Sequence, residues 1–368
     1  MTPVLAVINE LSRLDNNLQA TFVCDRAFEV QARGLMASAA VPVSVRVVPA
    51  GKFRRYHGIS PLRQLLDVPT LLRNMRDVVM IIAGFLVSFW VMVWYRPDVV
   101  FAKGGYVCLP LGFAAWLLRI PLVIHDSDTK PGLTNRLLSR FARRIATGSP
   151  LENYPYPASK SAYTGVPVDP AFRPFDQAQQ RKAKAAIGVV DLTKPLVVAT
   201  GGGLGAASIN QALVGCSRQL LEAGFSIYHV TGRKHAEAIR AHAPEHPDYH
   251  VVDFVYQDMA TVLGAADIVI CRASATTLQE LAALGKPVVC IPAAYLGDQQ
   301  KNAQVYAKAG AALVLKDATL DSATMLKAVK GLARDAGAAK AMASRLHAFA
   351  RPQAAADVAK LIQAELQR

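Results

Sequence analysis

At 368 residues the chain is too long for one ordinary hydrophobic core and predicts two domains. Hydrophobic residues make up 52% and charged residues 18%, which excludes an intrinsically disordered chain. A net charge of +14 asks for an anionic partner, and with no aromatic-basic recognition motif and no zinc spacing, nucleic acid gives way to an anionic membrane surface.

The chain opens on a helical pattern in which Thr2 is a plausible N-cap and Pro3 occupies the first helical position. No cationic stretch, apolar run and cleavage site precede it, so no secretory leader is expected. Short β-branched runs at 20–24, 43–47, 99–101, 122–125 and 144–147 then alternate with helical patterns, as in parallel α/β layers. Between them lie Lys52, Arg54, Arg55, Arg63, Arg73 and Arg76, opposed only by Asp67. The most apolar stretch of the chain, 78–95, follows directly. It stands at the lower edge of transmembrane length. Because Arg96-Pro97-Asp98 leads at once into a strand, the preferred reading is a helix with one face on its own sheet and the other at a bilayer interface. A wholly buried helix is the alternative.

A proline-rich passage, with Pro150, Pro155, Pro157, Pro167, Pro170 and Pro174, reads as an interdomain connection. Strand-like runs resume at 196–200, 226–230, 250–254, 267–271, 287–291 and 312–315, and a last helix is expected over 352–367. The domains are placed at 1–165 and 166–346, with 347–368 crossing back to the first. The five cysteines are scattered and never spaced as CxxC, which fits reduced thiols.

In parallel α/β layers the chemistry sits in the loops after strands. Gly201-Gly202-Gly203-Leu204-Gly205 joins a strand to a helix and suits close backbone approach to a phosphate, although a glycine turn that only packs helix on strand reads the same way. Cys271-Arg272-Ala273-Ser274-Ala275-Thr276-Thr277 closes a strand and opens a helix with small hydroxyl residues, which suits a diphosphate. Glu280 follows, placed to accept from ribose hydroxyls or to be a solvated helix residue. Asp298, Gln299, Gln300 and Asn302 bring amides and a carboxylate suited to sugar hydroxyls. In the first half, Lys103-Gly104-Gly105-Tyr106 and His125-Asp126-Ser127-Asp128 each follow a strand. His242, His246 and His250 have metal-like spacing, but Pro244 and Pro247 break any helix there and no metal site is expected.

In order and spacing these loops resemble the MurG-type UDP-N-acetylglucosamine transferases of peptidoglycan synthesis. The resemblance covers nearly the whole chain and is strongest in PDVVFAKGGYVCLPLGFAAWLLRIPLVIH, PGLTNRLLSRFA, GGGLGAASIN and ADIVICRASATTLQELAALGKPVVCIP. It implies a GT-B fold, two Rossmann-like doubly wound domains facing a cleft. It also implies inverting transfer from UDP-N-acetylglucosamine to the muramyl 4-hydroxyl of a lipid-linked muramyl-peptide, on the cytoplasmic face of the membrane, with no metal or other cofactor. By the same resemblance Phe254 and Val255 read uracil, Glu280 holds the ribose, and Ser274, Ala275, Thr276 and Thr277 hold the diphosphate. Gln299 and Asn302 contact the sugar, while Gly202, Gly203, Gly205 and Asn210 line the donor side. Gly104, Gly105, Tyr106, His125, Asp126 and Asp128 face the acceptor.

The chain departs from that family in four places. His125-Asp126-Ser127-Asp128 replaces His-Glu-Gln-Asn, Gly203-Leu204 replaces a Ser-Gln pair, and Asp169 stands where an arginine is common. The last change weakens diphosphate binding unless other cations substitute. The family's first strand, with its glycine loop and candidate catalytic histidine, has no counterpart before Thr2, so the native chain is expected to extend upstream. If Met1 is the true start, the base comes from elsewhere, with Asp126 the first candidate and Asp128 the second. The competing assignments are a GT-B transferase for another lipid, such as diacylglycerol, and an inactive membrane-bound scaffold that binds UDP-sugar. A nicotinamide oxidoreductase lacks the dinucleotide spacing.

Overall fold

The computed structural model describes residues 1–51, 68–202, 205–255 and 258–366, apart from the side chains of 68–70 and 73. Lys52, Arg54, Arg55, Arg63, Asp67, Gly203 and the Arg73 side chain, all singled out above, lie outside the described residues. The chain divides into two compact units, Met1–Pro167 with Gln353–Arg368, and Val168–Pro352.

The first unit begins with helix α1 (Thr2–Leu14), whose N-cap is Met1. The Thr2 hydroxyl is therefore one position too late to cap, and Pro3 sits in the first turn, where its missing N–H costs nothing. Strands β1 (Ala20–Cys24) and β2 (Val43–Val47) pair in parallel, and β3 (Val100–Ala102), β4 (Leu122–Asp126), β5 (Arg144–Thr147) and β6 (Ser161–Tyr163) form a second parallel sheet in that order. Helix α1 serves both. Val7 is buried with Val123 and Ala146, whereas Leu5 and Ile8 pack with Met36 toward β1 and β2. The closing helix Ala354–Leu366 adds Val358 and Ile362 to the Val7 cluster, and Glu365 pairs with Arg144 at 2.9 Å. The passage read above as a connection thus contains β6, a strand too short and too polar to stand out among prolines.

Helix Val68–Tyr95 lies against this sheet, with Met92 buried and Phe85 and Phe89 packed beside Val100 and Leu122. Gly84 permits the approach, since a Cβ there would lie 2.1 Å from the Pro49 carbonyl oxygen. The opposite face is open, with Trp90 67% and Trp94 85% exposed. Its segment Asn74–Tyr95 is long and apolar enough to cross a membrane, with mean hydropathy 2.3, yet only 17% of its most apolar window is buried. A wholly interior helix is therefore ruled out.

The second unit holds one parallel sheet of β7 (Leu196–Thr200), β8 (Ser226–Val230), β9 (Tyr249–Val252), β10 (Ile268–Cys271), β11 (Val288–Cys290) and β12 (Leu313–Val314), in the order β12-β11-β10-β7-β8-β9. Helices cover both faces, so its strands read as continuous apolar runs. The strand order reverses between β7 and β10, the point at which such sheets open a ligand crevice at their carboxyl ends.

Candidate active site

Register aligns the carboxyl ends of the second sheet: Cys271 lies opposite Thr200 and Cys290, and Thr200 lies opposite Val230. The residues that follow, Gly201, Thr231, Arg272 and Ile291, consequently stand side by side. Gly202 and Gly205 both take φ of +75°, and a Cβ on Gly205 would lie 2.4 Å from the Thr231 carbonyl oxygen. Only glycine admits that turn. Ser274 caps helix Ala275–Leu284, accepting from the Thr277 N–H at 3.2 Å and donating to Thr277 Oγ1 at 2.9 Å. The first turn of that helix offers free N–H groups beside the glycine loop, an arrangement suited to phosphate oxygens. Glu280 is buried one turn further on. The Gln299 side chain accepts from the Ala293 N–H at 3.0 Å and so shapes the loop after β11. The Arg233 guanidinium lies over the Phe254 ring at 5.3 Å.

Two donor-side expectations change. Asn210 is buried; its Nδ2 donates to the Thr231 carbonyl and its Oδ1 accepts from His229 Nε2 at 3.0 Å. It braces the loop after β8 from below instead of lining the surface. Asn302 is also buried, and its Nδ2 donates to the Ala273 carbonyl at 3.1 Å, beneath the diphosphate turn. Both amides fall on helix faces turned into the fold, which residue type alone does not reveal.

In the first unit Gly104 and Gly105 take φ of +90° and +89°. The Tyr106 hydroxyl donates to Asp25, at the end of β1. His125 is fully buried and does not face an acceptor. Its Nε2 donates to the Gly165 carbonyl at 2.9 Å and its Nδ1 accepts from Ser127 Oγ at 3.1 Å, the tautomer being set by the carbonyl. Burial, with Lys103 adding to it, holds the imidazole neutral and pushes its pKa down to about 3. Asp126 behaves in the opposite sense. Burial pushes its pKa up to about 6, against hydrogen bonds from Tyr156 and Asn135 that pull it down. The Tyr154 hydroxyl donates to the Asp128 carbonyl at 2.9 Å, and the Tyr154 and Tyr156 rings stack at 5.5 Å.

Asn135 and Tyr156 escaped the reading of the sequence. Asn135 Nδ2 donates to the His125 carbonyl at 3.0 Å, while its buried Oδ1 has no hydrogen-bond partner in the described residues. It lies in PGLTNRLL, so the signal was present. Tyr156 was hidden in the proline-rich passage.

Residues 1–147 match the glycosyltransferase family 28 N-terminal domain, and residues 196–361 match the glycosyltransferase family 28 C-terminal domain. The chain belongs to glycosyltransferase family 28. A family 28 relative from Nocardioides sp. is 33% identical over 345 residues, covering 93% of this chain and 88% of the relative. One from Halalkalibacterium halodurans is 29% identical over 366 residues, covering 98% and 95%. Both carry the name UDP-N-acetylglucosamine--N-acetylmuramyl-(pentapeptide) pyrophosphoryl-undecaprenol N-acetylglucosamine transferase. Among solved structures, MurG of Acinetobacter baumannii superposes with a TM-score of 0.68 at 26% identity, over 98% of this chain and 95% of that one. The calicheamicin glycosyltransferase CalG4, at 15% identity and a TM-score of 0.65 over 100% and 94%, shares the GT-B fold. The expected GT-B architecture is thus found, as is the MurG-type family.

Proposed function

We propose that this family 28 chain transfers N-acetylglucosamine, with inversion, from UDP-N-acetylglucosamine to the muramyl 4-hydroxyl of an undecaprenyl-pyrophosphoryl-N-acetylmuramyl-pentapeptide. The observation that carries this reading is the match over nearly the whole chain to relatives bearing the name of that activity. On the donor side, the 274–277 turn receives the diphosphate through backbone N–H groups, and the glycines at 202 and 205 let the neighbouring backbone approach it closely. Glu280 accepts from the ribose, the backbone at Phe254 and Val255 reads the uracil, and Gln299 contacts the sugar. The helix N-terminus opposes the charge that develops on UDP as the glycosidic bond breaks.

On the acceptor side, the 4-hydroxyl oxygen attacks the anomeric carbon while a base removes its proton. Burial lifts the Asp126 pKa to about 6, toward the range a general base needs, and Asn135 and Tyr156 hold its carboxylate in place. Asp128 is the second candidate. Gly104, Gly105 and Tyr106 shape the acceptor loop.

The chain works at the cytoplasmic face of the membrane as a peripheral protein, through the open face of Val68–Tyr95. Supporting this is a wholly apolar groove of about 310 Å³ walled by Ile81, Phe85, Phe113 and Trp116. Arg119 and Arg143 line the adjoining depression and suit lipid headgroups.

The test is transfer of labelled N-acetylglucosamine from UDP to the purified lipid-linked muramyl-pentapeptide. A disaccharide-lipid product is expected. Binding of UDP-N-acetylglucosamine without transfer would move the activity to another lipid acceptor, and absence of both would sink the reading.

A further inference from the structure

Four loops that no local sequence pattern connects converge on one carboxylate in the second unit. Asp317, just beyond β12, accepts from Arg272 Nη1 at 2.8 Å and from Ser208 Oγ on the same oxygen, Oδ1. Its other oxygen accepts from the Ala294 N–H at 3.1 Å. Arg272 in turn donates to the Ile291 carbonyl at 3.1 Å and to Ser208 Oγ at 2.9 Å. The ion pair is shielded, with side chains 13% and 12% exposed. Ser208 lies in the first turn of helix Ala207–Glu222, immediately after the glycine loop. Arg272 stands two residues before Ser274, and Ala294 opens the loop that Gln299 shapes. Every segment assigned above to the diphosphate and the sugar is thus tied to Asp317.

We infer that Asp317 is a positioning residue for the donor, which through Arg272, Ser208 and the Ala294 N–H fixes the mutual placement of the three loops that cradle the diphosphate and sugar. The inference rests on the donor assignment made under the proposed function. Arg272 acts here as a strut: Nη1 is engaged by Ile291 and Asp317, and Nη2 by Ser208. Removal of the carboxylate leaves a shielded guanidinium without its counter-charge and frees Ser208, so the glycine loop loses its register with the Ser274 turn. N–H groups that must converge on one phosphate tolerate little displacement. The partners of Asp317 all lie on donor-side loops, so its effect falls on donor affinity and not on the acceptor.

The experiment measures UDP binding by titration calorimetry and steady-state transfer for the full chain and for Asp317→Ala, Asp317→Asn and Ser208→Ala, with thermal unfolding of each without ligand. Asp317→Ala is expected to weaken UDP binding and raise the donor KM by tenfold or more, with kcat within threefold and the acceptor KM unchanged. Asp317→Asn, which keeps an acceptor for Arg272, recovers most of that loss, and Ser208→Ala, which removes a single hydroxyl, raises the donor KM severalfold even if the alanine variant at 317 fails to fold. A donor KM within twofold of wild type in Asp317→Asn and Ser208→Ala together with Asp317→Ala overturns the inference, as does a loss confined to kcat or shared equally by the acceptor. A wild-type chain that does not bind UDP overturns the donor assignment and the inference with it, whereas wild-type binding matched by all variants overturns the inference alone.

Discussion

The Tyr156 hydroxyl donates to Asp126 Oδ2 at 2.6 Å, so a phenol from the segment before β6 favours the charged form of the carboxylate that ends β4. Burial raises the Asp126 pKa to about 6, and the phenol opposes that rise. Tyr156→Phe is therefore expected to push it higher, moving the acid limb of the kcat/KM profile upward by roughly half a pH unit to one unit, within what one hydrogen bond to a charged group supplies. An acid limb unchanged in the variant would detach Asp126 from the proton transfer.

Stability carries the same signature. The folded-state pKa of Asp126 lies above the ordinary carboxylate value of 3.8, so its contribution is fully present below 3.8 and is lost as pH rises through about 6. Asp126→Asn removes a charge that is costly to bury, and is expected to raise the unfolding temperature at pH 8 while leaving it unchanged at pH 3.5. Equal shifts at both pH values would contradict this.

His125, the preceding residue of the same strand, works in the opposite direction. Its pKa is pushed down to about 3, so stability is present above the ordinary histidine value of 6.5 and is lost as pH falls toward the folded value. The expected slope is at most about 1.4 kcal/mol per pH unit. His125→Gln is expected to flatten that slope between pH 6 and pH 4, measured by urea unfolding of the first unit's signal. A slope identical to wild type would mean that the imidazole titrates in the folded protein.

Glu280 is assigned to the ribose. Loss of a charged hydrogen-bond acceptor costs roughly 1.5–3 kcal/mol, which is about ten- to a hundredfold in affinity. Glu280→Ala is expected to raise the donor KM by that amount and to leave binding of a ribose-free diphosphate unchanged. A donor KM within threefold of wild type would remove Glu280 from the site.

Trp90 and Trp94 dominate the open face of Val68–Tyr95. Replacing both by Glu is expected to lower partition onto vesicles rich in anionic lipid at least tenfold, because apolar contact is lost and like charge is introduced. Soluble transfer to a short-chain acceptor is expected to persist. Unchanged vesicle binding would place the membrane contact elsewhere.

Much of this was legible in the sequence for a physical reason. Strands such as β7 and β10 are buried on both faces and therefore announce themselves as unbroken apolar runs, and glycines of positive φ mark the loop after β7. Side-chain direction was not legible. Asn210, Asn302 and His125 have the right chemistry for a site, yet each turns inward, because a helix or strand position fixes direction only once its packing partners are known. The Asp317 junction was hidden more deeply, since Ser208, Arg272, Ala294 and Asp317 belong to four separate strand-to-helix connections that only the sheet order brings together.

The closing helix Ala354–Leu366 belongs to the first unit, where Ile362 and Val358 complete the cluster around Val7. The second unit is an uninterrupted stretch of chain, whereas the first is a split one. On the ribosome, then, the half made first is finished last: its core stays one wall short through the whole synthesis of the other half. The nascent first unit therefore keeps the apolar surface around Val7 uncovered until residues 354–366 emerge, whereas the second has all of its own chain once residue 352 is made.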